Sequence, residues 1–200
     1  MSARQVAIVA GGGANIASLQ FALQRLGVSS AVSADPAQLR AASHVIIPGV
    51  GAAADAMSRL RAHGLDGVVP TLVQPVLGIC LGMQLLFEAS QEGDAACLGV
   101  IPGRAVRLGG GEGRPVPHMG WNTFDITRPS ALLAGLRSDD YAYFVHSFAV
   151  PPCEATTAST DYGMPFSACV EWRNFYGTQF HPERSAAVGA RVLRNFLTCV

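Results

Sequence analysis

The chain has 200 residues, half of them hydrophobic and 14% charged, with 14 basic residues balancing 14 acidic ones. That composition describes a dense globular fold, and charge neutrality gives no basic face for nucleic acid and no polybasic segment for a membrane. Every basic residue is arginine, which excludes lysine Schiff-base chemistry and with it a covalently held pyridoxal cofactor.

Val6-Ala7-Ile8-Val9-Ala10 reads as a buried strand running into Gly11-Gly12-Gly13. Ile16, Leu19, Ala22, Leu23 and Leu26 recur at helical spacing, and Gly27 ends that helix. Asp35-Pro36 is an N-cap with proline at the first helical position. His44-Val45-Ile46-Ile47 is a short strand leading into Pro48-Gly49-Val50-Gly51, and a helix follows from Ala52 to Arg61. Pro75 to Ile79 is the next strand, then Cys80, then an apolar helical pattern carrying Met83, Leu85 and Leu86 as core. Alternating strands and helices of this length predict an α/β fold with a mostly parallel sheet covered on both faces.

The second half changes character. Short β-like runs around Ala105-Arg107, Trp121-Asp125, Tyr141-Val145, Ser167-Glu171 and Tyr176-Phe180 are separated by turns, which predicts some antiparallel pairing. Gly109 to Gly113 is the candidate mobile loop. Arg184 to Leu197 closes the chain as a helix with Val188, Val192, Leu193 and Phe196 on one face. No repeat or linker interrupts 1–200, so one domain is expected. No apolar run reaches the length of a membrane span, and Met1-Ser2-Ala3-Arg4-Gln5 lacks the regions of a signal peptide, so a cytoplasmic address is expected.

The chemistry centres on Gly78-Ile79-Cys80-Leu81-Gly82, a strand turning sharply into a helix with a thiol at the apex. The glycines relieve backbone crowding in such a bend, and the helix N-terminus favours the thiolate. Cys97, Cys153, Cys169 and Cys199 read as inert; an odd, widely spaced set with no Cys-x-x-Cys is no disulfide framework or zinc site. Of five histidines, only His181 has a carboxylate two residues away, in Gln179-Phe180-His181-Pro182-Glu183. Positions i and i+2 of an extended segment share a side, and Pro182 holds His181 extended. Glu183 can therefore fix the imidazole while His181 faces the sulfur. The Leu81 N–H is one donor for a developing oxyanion, and the Val50 and Gly51 peptides, freed by Gly49 and Gly51, could supply another. No P-loop, dinucleotide fingerprint or His-Glu-x-x-His occurs, and the scattered histidines give no metal site.

Gly78-Ile79-Cys80-Leu81-Gly82-Met83-Gln84 with Gln179-Phe180-His181-Pro182-Glu183 resembles the class I, triad-type glutamine amidotransferases. Pro48-Gly49-Val50-Gly51, Pro117-His118-Met119-Gly120-Trp121-Asn122 and Tyr143-Phe144-Val145-His146-Ser147-Phe148 narrow the resemblance to the glutaminase subunits of imidazole glycerol phosphate synthases. The resemblance runs from Val6 to about Phe196. It implies a flavodoxin-like amidotransferase fold and hydrolysis of L-glutamine through a γ-glutamyl thioester on Cys80, with His181 moving the proton and Glu183 orienting it. It implies that Gln84, Glu92 and the backbones of Gly49, Ser147 and Phe148 hold glutamine, with no cofactor. It also implies a (β/α)8-barrel cyclase partner receiving ammonia through a tunnel, with Asn15, Pro117, His118, Trp121 and Arg184 at that interface. The chain departs from the family in Ala10-Gly11-Gly12, where an acidic start is usual, and in Arg184, where lysine is usual. The competing readings are another class I glutaminase and a non-catalytic scaffold subunit. His118 and His146 read as structural or interfacial rather than catalytic.

Overall fold

A computed structural model describes residues 5–10, 16–49, 51–111, 113–198 and 200. The expectations placed on Gly11 to Asn15, Val50, Glu112 and Cys199 lie outside the described residues.

The first half alternates β1 (Gln5–Val9), α1 (Ile16–Arg25), β2 (Ser29–Ser33), α2 (Pro36–Ala41), β3 (His44–Ile47), α3 (Ala53–Ala62), α4 (Leu65–Val68), β4 (Val76–Ile79) and α5 (Leu81–Gln84). The local signals act as the sequence indicates. The Asp35 carboxylate accepts from the Ala37 N–H at 2.8 Å with Pro36 opening α2, and Gly27 ends α1 at φ +75°. The remainder is β5 (Phe87–Ser90), β6 (Ala95–Ala96), β7 (Ile101–Arg107), β8 (His118–Thr123), β9 (Asp125–Ile126), β10 (Tyr141–His146), β11 (Phe148–Ala149), β12 (Thr156–Asp161), β13 (Pro165–Trp172), β14 (Phe175–Thr178) and α6 (Ala186–Thr198).

The main sheet has the order β2-β1-β3-β4-β14-β13-β12-β9. Strands β2, β1, β3, β4 and β14 are mutually parallel, and β13, β12 and β9 continue it antiparallel. Side chains alternate between the two faces with period two. Ala7, Val9, Val45, Ile47 and Val76 face a core shared with α2, α3 and α4, while Val6, Ile8, Ile46, Leu77 and Ile79 face one shared with α1 and α6. Burial on both faces accounts for the unbroken apolar runs of the parallel strands.

Four differences from the sequence reading have physical causes. Strand β2 is a serine-rich edge with mostly exposed residues and β12 is built from threonine and serine, so neither carries an apolar run. The elbow helix α5 lasts only four residues; Leu85 and Leu86 are buried just beyond it, and Phe87 begins a strand. The closing helix starts at Ala186, after a 3-10 turn over Pro182–Arg184. Gly111 and Arg114 exchange backbone hydrogen bonds of 3.2 and 3.0 Å, an isolated bridge where the sequence reading has no strand.

The order β3-β4-β14 matters most for the site. These strands are parallel neighbours, with Ile47 opposite Gly78 and Thr178 opposite Ile79. Their C-terminal ends deliver Gly49, Cys80 and His181 to one edge, where ligands bind in sheets of this kind. Sheet pairing thus brings together groups about a hundred residues apart in sequence.

Candidate active site

Cys80 takes φ +52° and ψ −110°, a conformation rare for a residue with a Cβ. The surroundings hold it there. Its N–H donates to the Thr178 carbonyl at 2.7 Å, and its own carbonyl accepts from Met83 and Gln84 at 3.1 and 3.2 Å. The turn is too tight for side chains at its flanks: a Cβ on Gly82 would run into the Ile47 carbonyl, and one on Gly78 into the Gly82 and Met83 backbone. Gly49 is pressed equally close against Leu81 and Gly82. Leu81 opens α5, where helix N–H groups have no acceptor within the helix.

His181 Nδ1 lies 2.8 Å from Glu183 Oε1, and both side chains are almost wholly buried. With Nδ1 so engaged, the hydrogen bond between His181 and Cys80 uses Nε2. Burial alone would pull the imidazole down. The hydrogen bonds to Cys80 and Glu183, together with the negative charge of both, overcome it and hold His181 at about 10. The loop that carries the imidazole is tied to β10: His181 N–H donates to Tyr143 O at 3.0 Å. The Ser185 hydroxyl donates to His181 O at 2.7 Å and accepts from Tyr143 N–H at 2.9 Å.

The thiol and imidazole open into a cavity of about 360 Å³. Gly49, Gly51, Leu81, Gln84, Glu92, Ser147, Phe148 and Arg184 also line it, so every described residue expected in the substrate pocket meets there. Gln84 is buried, and its Nε2 donates to Phe148 O at 2.7 Å and to Gln179 Oε1 at 2.9 Å. Both amide hydrogens are therefore committed to protein, and only Oε1 remains to meet a ligand. Glu92 Oε2 accepts from the Ala53 N–H at 2.9 Å at the start of α3. Burial raises the Glu92 carboxyl above its usual range, the Ala53 bond lowers it, and the Asp55 charge adds to the rise. Two acceptors facing one cavity suit a cationic group such as an α-ammonium.

The expected partner surface divides. On β8 and β10, Trp121 pairs with Tyr143, and Met119 with Val145. Met119, Trp121 and Pro117 are exposed, and the exposed Arg184 guanidinium sits 4.6 Å over the Tyr143 ring at the cavity mouth. His118 does not join them. Period-two alternation turns it inward, where it is buried against Tyr162 and Phe144 at ring-centroid distances of 4.0 and 5.1 Å. Its side chain is interior, apart from the exposed residues with which the resemblance groups it at the partner interface.

Two residues in the site carry roles the sequence reading does not give them. His146 lines the cavity, and Gln179 is fully buried with its Nε2 3.6 Å from the Cys80 sulfur. The i, i+2 rule that joins His181 to Glu183 also places Gln179 on the same side, so the signal for it exists in the sequence. Among the described residues no group of three or more histidine, cysteine or acidic side chains could hold a metal ion, and no helix is long and apolar enough to cross a membrane.

A strained thiol on a strand–helix bend is thus backed by a buried imidazole–carboxylate pair. The family model for glutamine amidotransferase class-I matches residues 13–199. The imidazole glycerol phosphate synthase subunit HisH of Xanthomonas axonopodis pv. citri (strain 306) is 53% identical over 192 residues, 96% of each chain. That of Xylella fastidiosa (strain Temecula1 / ATCC 700964) is 52% identical over 193 residues, again 96% of each. Among solved structures, a putative GMP synthase component from Thermoplasma acidophilum superposes with a TM-score of 0.75 at 19% identity, covering 98% of this chain and 94% of that one. A structure described as glutamine amidotransferase superposes with a TM-score of 0.75 at 20% identity and 96% coverage of both; these two likenesses speak to the fold alone. The chain belongs to the class I glutamine amidotransferases and, within them, to the family of HisH subunits of imidazole glycerol phosphate synthase.

Proposed function

We propose that this chain hydrolyses L-glutamine to glutamate and ammonia and passes the ammonia to a (β/α)8-barrel cyclase. The cyclase uses it to form imidazole glycerol phosphate and an aminoimidazole carboxamide ribotide in histidine biosynthesis. The observation that carries the reading is the convergence of Cys80 and His181, the latter bonded to Glu183, on a cavity that also presents Gln84 and Glu92. The Cys80 sulfur attacks the side-chain amide carbon, forming a C–S bond and an oxyanion that accepts from the Leu81 and Gly51 N–H groups, both of residues lining the cavity. His181 gives its Nε2 proton to the amide nitrogen, the C–N bond breaks, and ammonia leaves a γ-glutamyl thioester. Water then attacks, its proton goes to His181, the C–S bond breaks, and glutamate departs. An imidazole held at about 10 fits this cycle, since it starts protonated at neutral pH.

The partner half of the proposal is supported by the names of the relatives and by the exposed Met119, Trp121 and Arg184 beside the cavity mouth. The whole chain acts as one amidotransferase domain in the cytoplasm, without a cofactor. A different class I partner is less well supported, because the close relatives across 96% of the chain carry the HisH name. The test is ammonia release from glutamine by the chain, its complex with the cyclase, and the Cys80→Ala complex. The complex should be far more active than the free chain, and Cys80→Ala should abolish turnover. Ammonia release by the Cys80→Ala complex would contradict the assignment.

A further inference from the structure

Next to the triad, the Cys80 sulfur has two further polar neighbours with opposite preferences. The Val145 carbonyl, 3.7 Å away, can only accept and so disfavours negative sulfur. The Gln179 side-chain nitrogen, 3.6 Å away, can only donate. A side-chain amide could in principle face either way, but here its direction is fixed from a distance. The Phe148 carbonyl accepts from His146 Nδ1 at 2.9 Å and from Gln84 Nε2 at 2.7 Å. A carbonyl cannot donate, so it turns the Gln84 nitrogen toward itself. That same nitrogen donates to Gln179 Oε1 at 2.9 Å, which leaves the Gln179 N–H pointing at the sulfur. Gln84 and Gln179 are 3% and 0% exposed, so water does not compete for these bonds.

We propose that Gln179 is a fourth catalytic residue of the glutaminase reaction: its side-chain N–H holds the Cys80 sulfur as the attacking anion and aims it into the cavity, in a direction set through Gln84 by the Phe148 carbonyl. The inference rests on the reading of Cys80 as the nucleophile. Its chemistry is a donated hydrogen bond, needed while sulfur carries charge and slack once the thioester forms. It also gives the glutamine pocket a route to the nucleophile, because Gln84 belongs to both.

The test compares wild type, Gln179→Glu and Gln179→Met. The first replaces the donor with an acceptor while still receiving the Gln84 bond; the second removes the donor without adding charge. Iodoacetamide labelling of the full chain at Cys80, located by peptide mass, reads the anion directly, and steady-state turnover with the cyclase reads its use. Both variants should label Cys80 and turn over glutamine about tenfold more slowly or worse, the factor for one lost hydrogen bond to a charged group, with KM little changed. Labelling and kcat at wild-type rates in either folded variant would overturn the proposal. So would a raised KM with both rates intact, since Gln179 would then only shape the pocket. Wild-type Cys80 that resists labelling, or labels without protection by glutamine, would instead bring down the nucleophile assignment and this inference with it.

Discussion

His181 and the His118–His146 pair are equally buried, at 3%, 3% and 6% exposure, yet their surroundings drive them in opposite directions. Burial disfavours charge in all three. At His181 the Glu183 carboxylate and the Cys80 sulfur reverse that effect and hold the ring at about 10. His118 and His146 face aromatic rings, a carbonyl and each other, and burial takes them to about 4 and about 3. Their tautomers follow. The Phe148 carbonyl requires a proton on His146 Nδ1, so in the neutral ring Nε2 accepts, and His118 Nδ1 donates to it at 3.1 Å. The lesson is that depth sets what a charge costs and the partners decide whether it is kept. One imidazole is held charged beside a thiol, and the other two stay neutral in a bonded strut at the pocket wall.

The largest test of that contrast is kinetic. Replacing His181 by alanine in the assembled enzyme should lower kcat by about 10²–10⁴, the span of general acid–base assistance. His146→Phe should leave kcat nearly intact, because the ring bonds to the Phe148 carbonyl and to His118. It takes one of two donors from the Phe148 carbonyl, so KM for glutamine should rise, and stability in urea should fall by about 1–3 kcal/mol for the bonds lost at Phe148 and His118. Steady-state kinetics and denaturation of the same two variants check this. Equal losses of kcat would erase the distinction between proton donor and strut.

Much of this division is legible in the sequence, and the illegible part has a cause. The proposed triad is legible because its members carry local marks: glycines on both sides of Cys80 and a proline between His181 and Glu183. The parallel half of the sheet is legible because burial on both faces leaves continuous apolar runs. Strands β2 and β12 are not, since serine and threonine strands resemble turns. His118 falls on the wrong side when the Pro-His-Met-Gly-Trp-Asn segment is treated as a block. Applying strand alternation to it separates exposed Met119 and Trp121 from buried His118. Spacing puts Gln179 on the side of His181, but its bond to the sulfur depends on contacts with Gln84 and Phe148 from separate strands, which spacing does not encode.

A smaller effect concerns pH. A pKa raised from 6.5 to about 10 makes the His181 contribution to stability complete below about pH 6.5 and lost as pH climbs toward 10. Values lowered from 6.5 to about 4 and 3 make the His118 and His146 contribution complete above about pH 6.5 and lost as pH falls through those values. Urea unfolding across pH should therefore show an alkaline limb belonging to the triad and an acid limb belonging to the pair. Cys80→Ala removes one of the two negative partners of His181, so its alkaline limb should begin at lower pH while the acid limb stays put. Movement of the acid limb instead would mean that the two regions share protons.

The smallest expected effect is at His118 itself. Phenylalanine there keeps a ring of similar shape among Tyr162, Phe144 and Phe166, and removes a polar group whose desolvation burial had to offset. Against that gain stands one lost bond, which leaves His146 Nε2 without its donor. These terms oppose each other at about 1–3 kcal/mol apiece, so the net change in stability should be small. His146 Nδ1 keeps its bond to Phe148, so the pocket wall and KM should not move. The acid limb should weaken, because one of the two imidazoles that resist protonation is gone. If His118→Phe raised KM as much as His146→Phe, the pocket would be held by the pair as a unit, and the strut would reach from the buried side of β8 to the wall that meets glutamine.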